Sequence, residues 1–303
     1  MGTALDSAGG TLIYRWGEMI KFSHSVFALP FALMATFLAA RAADASRPWP
    51  SLGQLLLILA CMVTARSAAM TFNRVADAAI DARNPRTANR ALPTGTISRR
   101  QAYAFLFATS GLFVICCGGF HLLYDNSIPL KLSVPVLLYL CFYSYTKRFT
   151  RWSHFVLGSA IAFSPVAAWL AIHPQSIGWP AVVLMGAVTL WIGGFDIIYA
   201  CQDIAFDRAT GLFSLPARMG PAGALWVARA AHAGTVLLLA SLVPLAQLGP
   251  LYVTGVVIVA VLLLVENWLV RADDFSRVNV AFFTVNGAIS VLLAVLTIAD
   301  VLA

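Results

Sequence analysis

Two short stretches of this chain concentrate side chains that can bind metal ions. Asn73, Asp77 and Asp81 follow one another at intervals of four residues. The second stretch contributes three carboxylates and a phenol: Asp196, Tyr199, Asp203 and Asp207. Side chains spaced by about 3.6 residues lie on one face of an α-helix, so each set is predicted to share a helix face. Hard oxygen ligands of this kind suit Mg²⁺, which leaves coordination positions open for substrate phosphates.

The elements that must position these side chains are apolar enough to cross a membrane. Hydrophobic residues make up 60% and charged residues 11% of the 303 residues, whereas soluble domains average about 25% charged residues. The mean hydropathy is +0.82. A hydrocarbon core of ~30 Å needs about 20 apolar residues. Suitable windows lie at 19–40, 53–72, 102–121, 130–146, 154–173, 179–200, 222–244, 250–270 and 279–299.

These windows predict an all-α, polytopic membrane protein with about nine transmembrane helices. We expect one domain over residues 1–303, with the helices arranged around a central cavity. Each acidic stretch leads into a polar loop, at 82–100 and at 208–223, where proline and glycine interrupt the helical pattern. We predict that the two loops cap the cavity on the cytoplasmic side.

The net charge of +7 is distributed in a way that excludes a nucleic-acid partner and favours membrane lipid. If the N-terminus is cytoplasmic, the loops and helix ends on the opposite side hold only Arg41, Arg47 and Lys131. Almost all the other basic residues then lie on the cytoplasmic side, which is the positive-inside bias of membrane proteins. Both acidic stretches fall on that side, so we predict a bacterial inner-membrane protein whose active site faces the cytoplasm.

Three cations lie close enough in the predicted topology to join the carboxylates. Lys147 and Arg148 end the fourth window on the cytoplasmic side, either as simple membrane anchors or as ligands of an anionic substrate. Arg66 lies seven residues before Asn73, which places it on the same helix face to within ~20°. A guanidinium at this depth needs a partner, either an internal carboxylate or the carboxylate of a substrate.

Five carboxylates at one membrane depth repel one another unless cations neutralise them. Two Mg²⁺ ions bridging a diphosphate would balance much of the charge, with Lys147 and Arg148 on the outer oxygens. A substrate that enters such a site from the bilayer also needs an apolar tail. Polyprenyl diphosphate has both parts.

The chain resembles the UbiA superfamily of intramembrane aromatic prenyltransferases along essentially its whole length. The resemblance begins with NxxxDxxxD at 73–81 and RTANRALPTG at 86–95. It continues with the stretch around Tyr143, Lys147, Arg148 and Thr150, and with DxxYxxxDxxxD at 196–207. Four motifs in this order are far more specific than one NxxxDxxxD alone.

The resemblance implies a role for each candidate residue. Asn73, Asp77, Asp203 and Asp207 would hold two Mg²⁺ ions on the diphosphate. Lys147 and Arg148 would bind the diphosphate oxygens, and Arg66 would bind the carboxylate of the acceptor. The candidate catalytic residues are Asp77, Asp81, Asp196 and Tyr199. Loss of diphosphate would give an allylic carbocation, which a ring carbon ortho to a phenol attacks.

Within the superfamily, the motifs resemble the 4-hydroxybenzoate branch in quinone biosynthesis. The same chemistry on 1,4-dihydroxy-6-naphthoate is the alternative, because both acceptors carry a carboxylate that Arg66 can bind. Arg74 departs from the usual pattern, which has Asp there, so the role of this position stays open. The positions of Lys21 and His24 fit helix-end anchoring better than a place in the cavity. An ion- or proton-coupled transporter is the alternative from another class, although its ionisable groups should be spread across the membrane depth.

Overall fold

A computed structural model describes residues 16–17 and 27–303 of the chain. Lys21 and His24 lie outside the described residues. The α-helices are α1 Leu29–Ala43, α2 Leu52–Asp81, α3 Arg99–Tyr124, α4 Ile128–Thr146, α5 Ser153–Ile172, α6 Trp179–Ala200, α7 Ile204–Thr210, α8 Leu215–Leu245, α9 Pro250–Leu269 and α10 Asn286–Leu302. Short 3₁₀ turns occupy Pro174–Ser176 and Cys201–Asp203, and a π-helical turn, Val280–Val285, precedes α10.

The described part of the chain is helical, as the sequence predicts. Eight helical segments are long and apolar enough to cross a membrane, and α1 is a shorter apolar helix. Together they account for the nine predicted windows, although the first window begins outside the described residues. The second helix is longer than its window and ends at Asp81, so the whole first acidic stretch lies on α2.

Side-chain caps stabilise the first turns of α2 and α3. Ser51 and Gln54 form a capping box at α2, and Ser98 and Gln101 form another at α3. In each box a serine hydroxyl and a glutamine side chain satisfy backbone N–H groups that have no partner within the helix. The cap at Ser98 therefore fixes the C-terminal end of residues 82–98, which connect the two helices.

The second acidic stretch is not one continuous helix. α6 ends at Ala200, the turn Cys201–Asp203 follows, and α7 begins at Ile204. Gly211 ends α7 in the left-handed conformation, with a φ of 72°. Gly220, with a φ of 77°, kinks α8 rather than ending it. Pro216 was predicted to interrupt a helix, but it lies in the first turn of α8, where a missing N–H costs nothing.

Helix α6 packs at the centre, between α5 and α8. Its contact with α5 depends on glycine, because a Cβ atom at Gly158 would lie 2.4 Å from the Thr189 carbonyl oxygen. Small residues let transmembrane helices approach this closely. Trp191 and Phe195 of α6 pack edge-on at 5.1 Å between ring centroids, and Phe282 of the π-helical turn lies 5.1 Å from Phe195.

A buried polar group ties the last helices to α6. The Asn286 amide donates to Glu266 Oε1 at 2.8 Å and to the Ala281 carbonyl at 3.1 Å. Its oxygen accepts from Trp191 Nε1 at 2.7 Å. Glu266 and Asn286 are fully buried. These bonds fix the position of α10 against α6 and α9, and with it the π-helical turn that carries Phe282.

Candidate active site

The two acidic stretches lie close together at one end of the helices, and residues 82–98 join them. Asn84 Nδ2 donates to Asp203 Oδ1 at 3.1 Å, across 119 residues of sequence. Asn84 follows the end of α2, and Asp203 follows the end of α6. The loop that follows the first stretch therefore contacts the second stretch.

Asp77 is the most enclosed carboxylate of the two acidic stretches, with 2% of its surface exposed. Lys147 Nζ donates to its Oδ2 at 2.6 Å, and Arg148 Nη2 donates to its Oδ1 at 3.2 Å. Asn73 Nδ2 also reaches Oδ2, at 3.2 Å. Lys147 and Arg148 follow the end of α4, so this helix brings two cations to the carboxylate on α2.

Asp81 lies one helical turn further along α2 and is also buried. Arg90 Nη1 lies 2.8 Å from both of its carboxylate oxygens. The Thr87 hydroxyl donates to the Asp81 backbone carbonyl at 3.1 Å. These contacts fold residues 82–98 back onto the end of the helix from which they emerge.

Arg86 links the first loop to both Asp203 and Tyr199. Its Nε donates to Asp203 Oδ1 at 2.9 Å, its Nη2 pairs with Oδ2, and its Nη1 donates to the Tyr199 hydroxyl at 3.0 Å. Burial lowers the pKa of Arg86, but the hydrogen bond and the charge of Asp203 outweigh it and raise the pKa above the usual value. Arg86 is therefore a permanent cation bound to a carboxylate of the second stretch.

Asp207 and Asp196 have partners from the start of α8 and from α5. The Ser214 hydroxyl, which caps α8, donates to Asp207 Oδ2 at 2.7 Å. Asp196 Oδ2 lies 2.7 Å from His154 Nδ1. Lys147 interacts electrostatically with Asp207 as well as binding Asp77, so it lies between the two acidic stretches.

Arg66 is half-buried on α2 and lies near the Tyr143 side chain. Seven residues of helix separate it from Asn73, which is about 10 Å along the axis. Arg74 is buried, and it interacts electrostatically with the Arg90 cation and with the carboxylates of Asp81 and Asp77. This position, where the motif usually has an acid, thus supplies a further positive charge beside Asp81 and Asp77.

The donor set suits a hard cation such as Mg²⁺, because it consists of carboxylate and amide oxygens at one end of the helices. Among the described residues, no three His, Cys, Asp or Glu side chains are grouped closely enough to hold a metal ion. Arg86, Arg90, Lys147 and Arg148 instead neutralise the carboxylates. A metal at this site would have to displace Lys147 and Arg148 from Asp77, and Arg86 from Asp203.

Sequence reasoning missed several partners. Arg86 and Arg90 lie in the RTANRALPTG motif at 86–95, and Asn84 lies two residues before it. None of the three was predicted to contact a carboxylate, although their closeness to Asp81 in the sequence was a signal. His154 had no such signal, because 42 residues separate it from Asp196.

The chain matches known proteins over most of its length. The sequence profile of the UbiA prenyltransferase family matches residues 32–288. The 4-hydroxybenzoate octaprenyltransferase of Edwardsiella ictaluri is 32% identical over 72% of this chain and 74% of that protein. The enzyme of the same name from Saccharophagus degradans is 35% identical over 57% of this chain, and the match spans 55% of that protein, little more than half its length.

Two solved structures have the same fold. A UbiA homologue from Aeropyrum pernix K1, in its apo form, superposes with a TM-score of 0.75 at 29% identity, covering 92% of this chain and 97% of that one. A UbiA homologue from Archaeoglobus fulgidus bound to GPP and Mg²⁺ gives a TM-score of 0.72 at 18% identity, covering 95% of this chain and 100% of that one. At this lower identity the likeness shows the fold alone.

Proposed function

Because the chain belongs to the UbiA prenyltransferase family, we propose that it transfers a polyprenyl group from a polyprenyl diphosphate to an aromatic acid within the membrane. The proposed acceptor is 4-hydroxybenzoate, after the names of its relatives, and the proposed role is in quinone biosynthesis. The observation that carries this proposal is the pairing of four cations with carboxylates from both acidic stretches. Such a group of charges is suited to a Mg²⁺–diphosphate head.

The proposed metal ligands are Asn73, Asp77, Asp203 and Asp207. Bound Mg²⁺ supplies positive charge that stabilises the departing diphosphate. Lys147 and Arg148 lie beside Asp77, so they can turn from this carboxylate to diphosphate oxygens. The allylic C–O bond then breaks, and its electron pair leaves with the diphosphate.

The acceptor is held so that its ring faces the resulting cation. Arg66 binds the carboxylate through the two parallel hydrogen bonds that a guanidinium offers. Tyr199, held by Arg86, and Asp81, held by Arg90, keep the polar end of the cavity in shape. The ring carbon ortho to the hydroxyl forms the new C–C bond, and Asp196 accepts the proton that this carbon loses.

The site is proposed to face the cytoplasm, because most basic residues lie at its end of the helices. Ion or proton transport is not favoured, since the carboxylates around Asp77 and Asp203 gather at one membrane depth. A relay would need ionisable groups spaced across the bilayer.

The test is a membrane-fraction assay with Mg²⁺ and a long-chain polyprenyl diphosphate. 4-Hydroxybenzoate and 1,4-dihydroxy-6-naphthoate are offered separately, and products are identified by mass. Prenylated benzoate supports the proposed acceptor, and prenylated naphthoate assigns the other one. If neither forms and wild type releases no more diphosphate than Asp77→Asn, the proposed function is wrong.

A further inference from the structure

We propose that His154 is a positioning residue, which holds Asp196 in place as the proton acceptor for the aromatic substrate. The proposal rests on the prenyl transfer described above. It adds to the site a side chain from α5, which carries none of the acidic motifs. His154 and Asp196 meet at 2.7 Å between Nδ1 and Oδ2.

The hydrogen bonds of His154 fix where its proton lies. The Leu215 backbone N–H donates to His154 Nε2 at 3.3 Å, so Nε2 has to be the acceptor nitrogen of the ring. A neutral imidazole with an acceptor at Nε2 carries its proton on Nδ1. Nδ1–H then donates to the Asp196 carboxylate and holds it in one orientation.

The two side chains differ in their access to a ligand. The Asp196 side chain is 24% exposed, whereas that of His154 is 5% exposed. A substrate can therefore reach the carboxylate but not the imidazole. Asp196 is therefore the group that contacts the acceptor, and His154 acts on the acceptor only through Asp196.

His154 also connects Asp196 to the rest of the second acidic stretch. Leu215, which donates to its ring, follows Ser214 in sequence. Ser214 donates to Asp207 and accepts from the Ala217 N–H at 3.3 Å. The start of α8 thus holds a proposed metal ligand through Ser214 and the proposed proton acceptor through His154.

The proton balance of the step is simple. When the prenyl carbocation bonds to the ring, the attacked carbon still carries its hydrogen. The C–H electron pair returns to the ring, and the proton passes to an Asp196 oxygen. His154 keeps its own proton throughout, and Asp196 releases the acquired proton to water once the product has left.

Two substitutions in the full-length enzyme separate positioning from simple packing. His154→Gln retains an amide N–H for Asp196 and an amide oxygen for the Leu215 N–H, whereas His154→Leu retains neither. The assay is prenylation of 4-hydroxybenzoate, either unlabelled or deuterated at both positions ortho to the hydroxyl. A positioned base contributes 10²–10⁴-fold, so we expect His154→Leu to lower kcat by about 10- to 100-fold.

Further measurements test whether His154 affects the removal of the ring proton. In His154→Leu, a primary deuterium isotope effect should appear as proton removal becomes rate-limiting, and KM for the polyprenyl diphosphate should stay unchanged. His154→Gln should recover most of kcat. In an Asp196→Asn background, His154→Leu should add little further loss. If the leucine variant does not fold, His154→Ala takes its place.

The proposal is overturned if Gln and Leu variants lose activity equally, if no isotope effect appears, or if the leucine variant keeps the wild-type rate. Losses that multiply fully in the double variant would also overturn it, since His154 would then act independently of Asp196. Failure of the proposed function looks different, because wild type itself would then form no prenylated product.

Discussion

Replacing Arg86 with alanine should strengthen metal binding in the absence of diphosphate. Arg86 binds Asp203 through two of its nitrogens, and Asp203 is one of the proposed metal ligands. A metal ion must break this pairing before it can use the carboxylate. The substitution removes the competitor without touching a proposed ligand.

The size of the effect follows from how enclosed the pair is. The side chains are 32% and 16% exposed, between the exposed pairs that contribute about 0.2–1 kcal/mol and buried ones that cost about 3–5 kcal/mol to break. We therefore expect loss of the Arg86–Asp203 pairing to change the free energy of metal binding by about 1–2 kcal/mol, because solvent screens the arginine. At 1.4 kcal/mol per factor of ten, this corresponds to roughly 5- to 30-fold tighter binding.

The assay is Mn²⁺ binding by electron paramagnetic resonance, with the protein in lipid nanodiscs. Arg83→Ala is the matched control, because Arg83 lies in the same loop and carries the same charge. Its guanidinium donates to the Ala79 carbonyl at 3.3 Å and, within the described part of the chain, pairs with no carboxylate. Equal tightening in both variants would attribute the effect to net charge. Unchanged or weaker binding in Arg86→Ala would refute the competition between Arg86 and the metal.

The other predictions concern the carboxylates and the helix packing. Asp77→Asn or Asp203→Asn should abolish prenyl transfer while the protein still inserts and folds, as judged by product mass and size-exclusion elution; full activity in either would contradict the metal assignment. Gly158→Ala should lower the thermal unfolding temperature, because its Cβ would lie 2.4 Å from a backbone oxygen of α6. Gly111→Ala, whose added Cβ would meet no neighbouring element of the described structure within 4 Å, should leave it unchanged or raise it, and an equal fall in both would exclude the packing explanation.

The sequence predicts the helices and the placement of the carboxylates because both depend on local patterns. Apolar windows gave nine helices, and the spacing of Asn73, Asp77 and Asp81 placed them on one helix. The positive-inside bias placed both acidic stretches at the same end. The structure confirms the all-α fold and brings Asn84 of the first loop to Asp203.

The partners of each carboxylate depend on tertiary packing, which periodicity does not encode. Lys147 and Arg148 were predicted to bind diphosphate, and in this structure they bind Asp77. Whether they also serve a diphosphate stays a prediction. The choice of Arg86 for Asp203 and Arg90 for Asp81 is set by turns within 82–98. The interruption of the second stretch at Cys201–Asp203 was likewise absent from the apolar pattern.

The buried carboxyl of Glu266 has a consequence for the order in which the protein is assembled. Its hydrogen-bond donor, Asn286, lies 20 residues further along the chain, so Glu266 leaves the ribosome before that donor does. A polar group alone in lipid is costly, which favours insertion of α9 and α10 together as a hairpin. Trp191, the partner of Asn286, is by then already in the membrane on α6. α9 and α10 therefore pack against helices that are already in the membrane, and the helix bundle is complete only when translation ends.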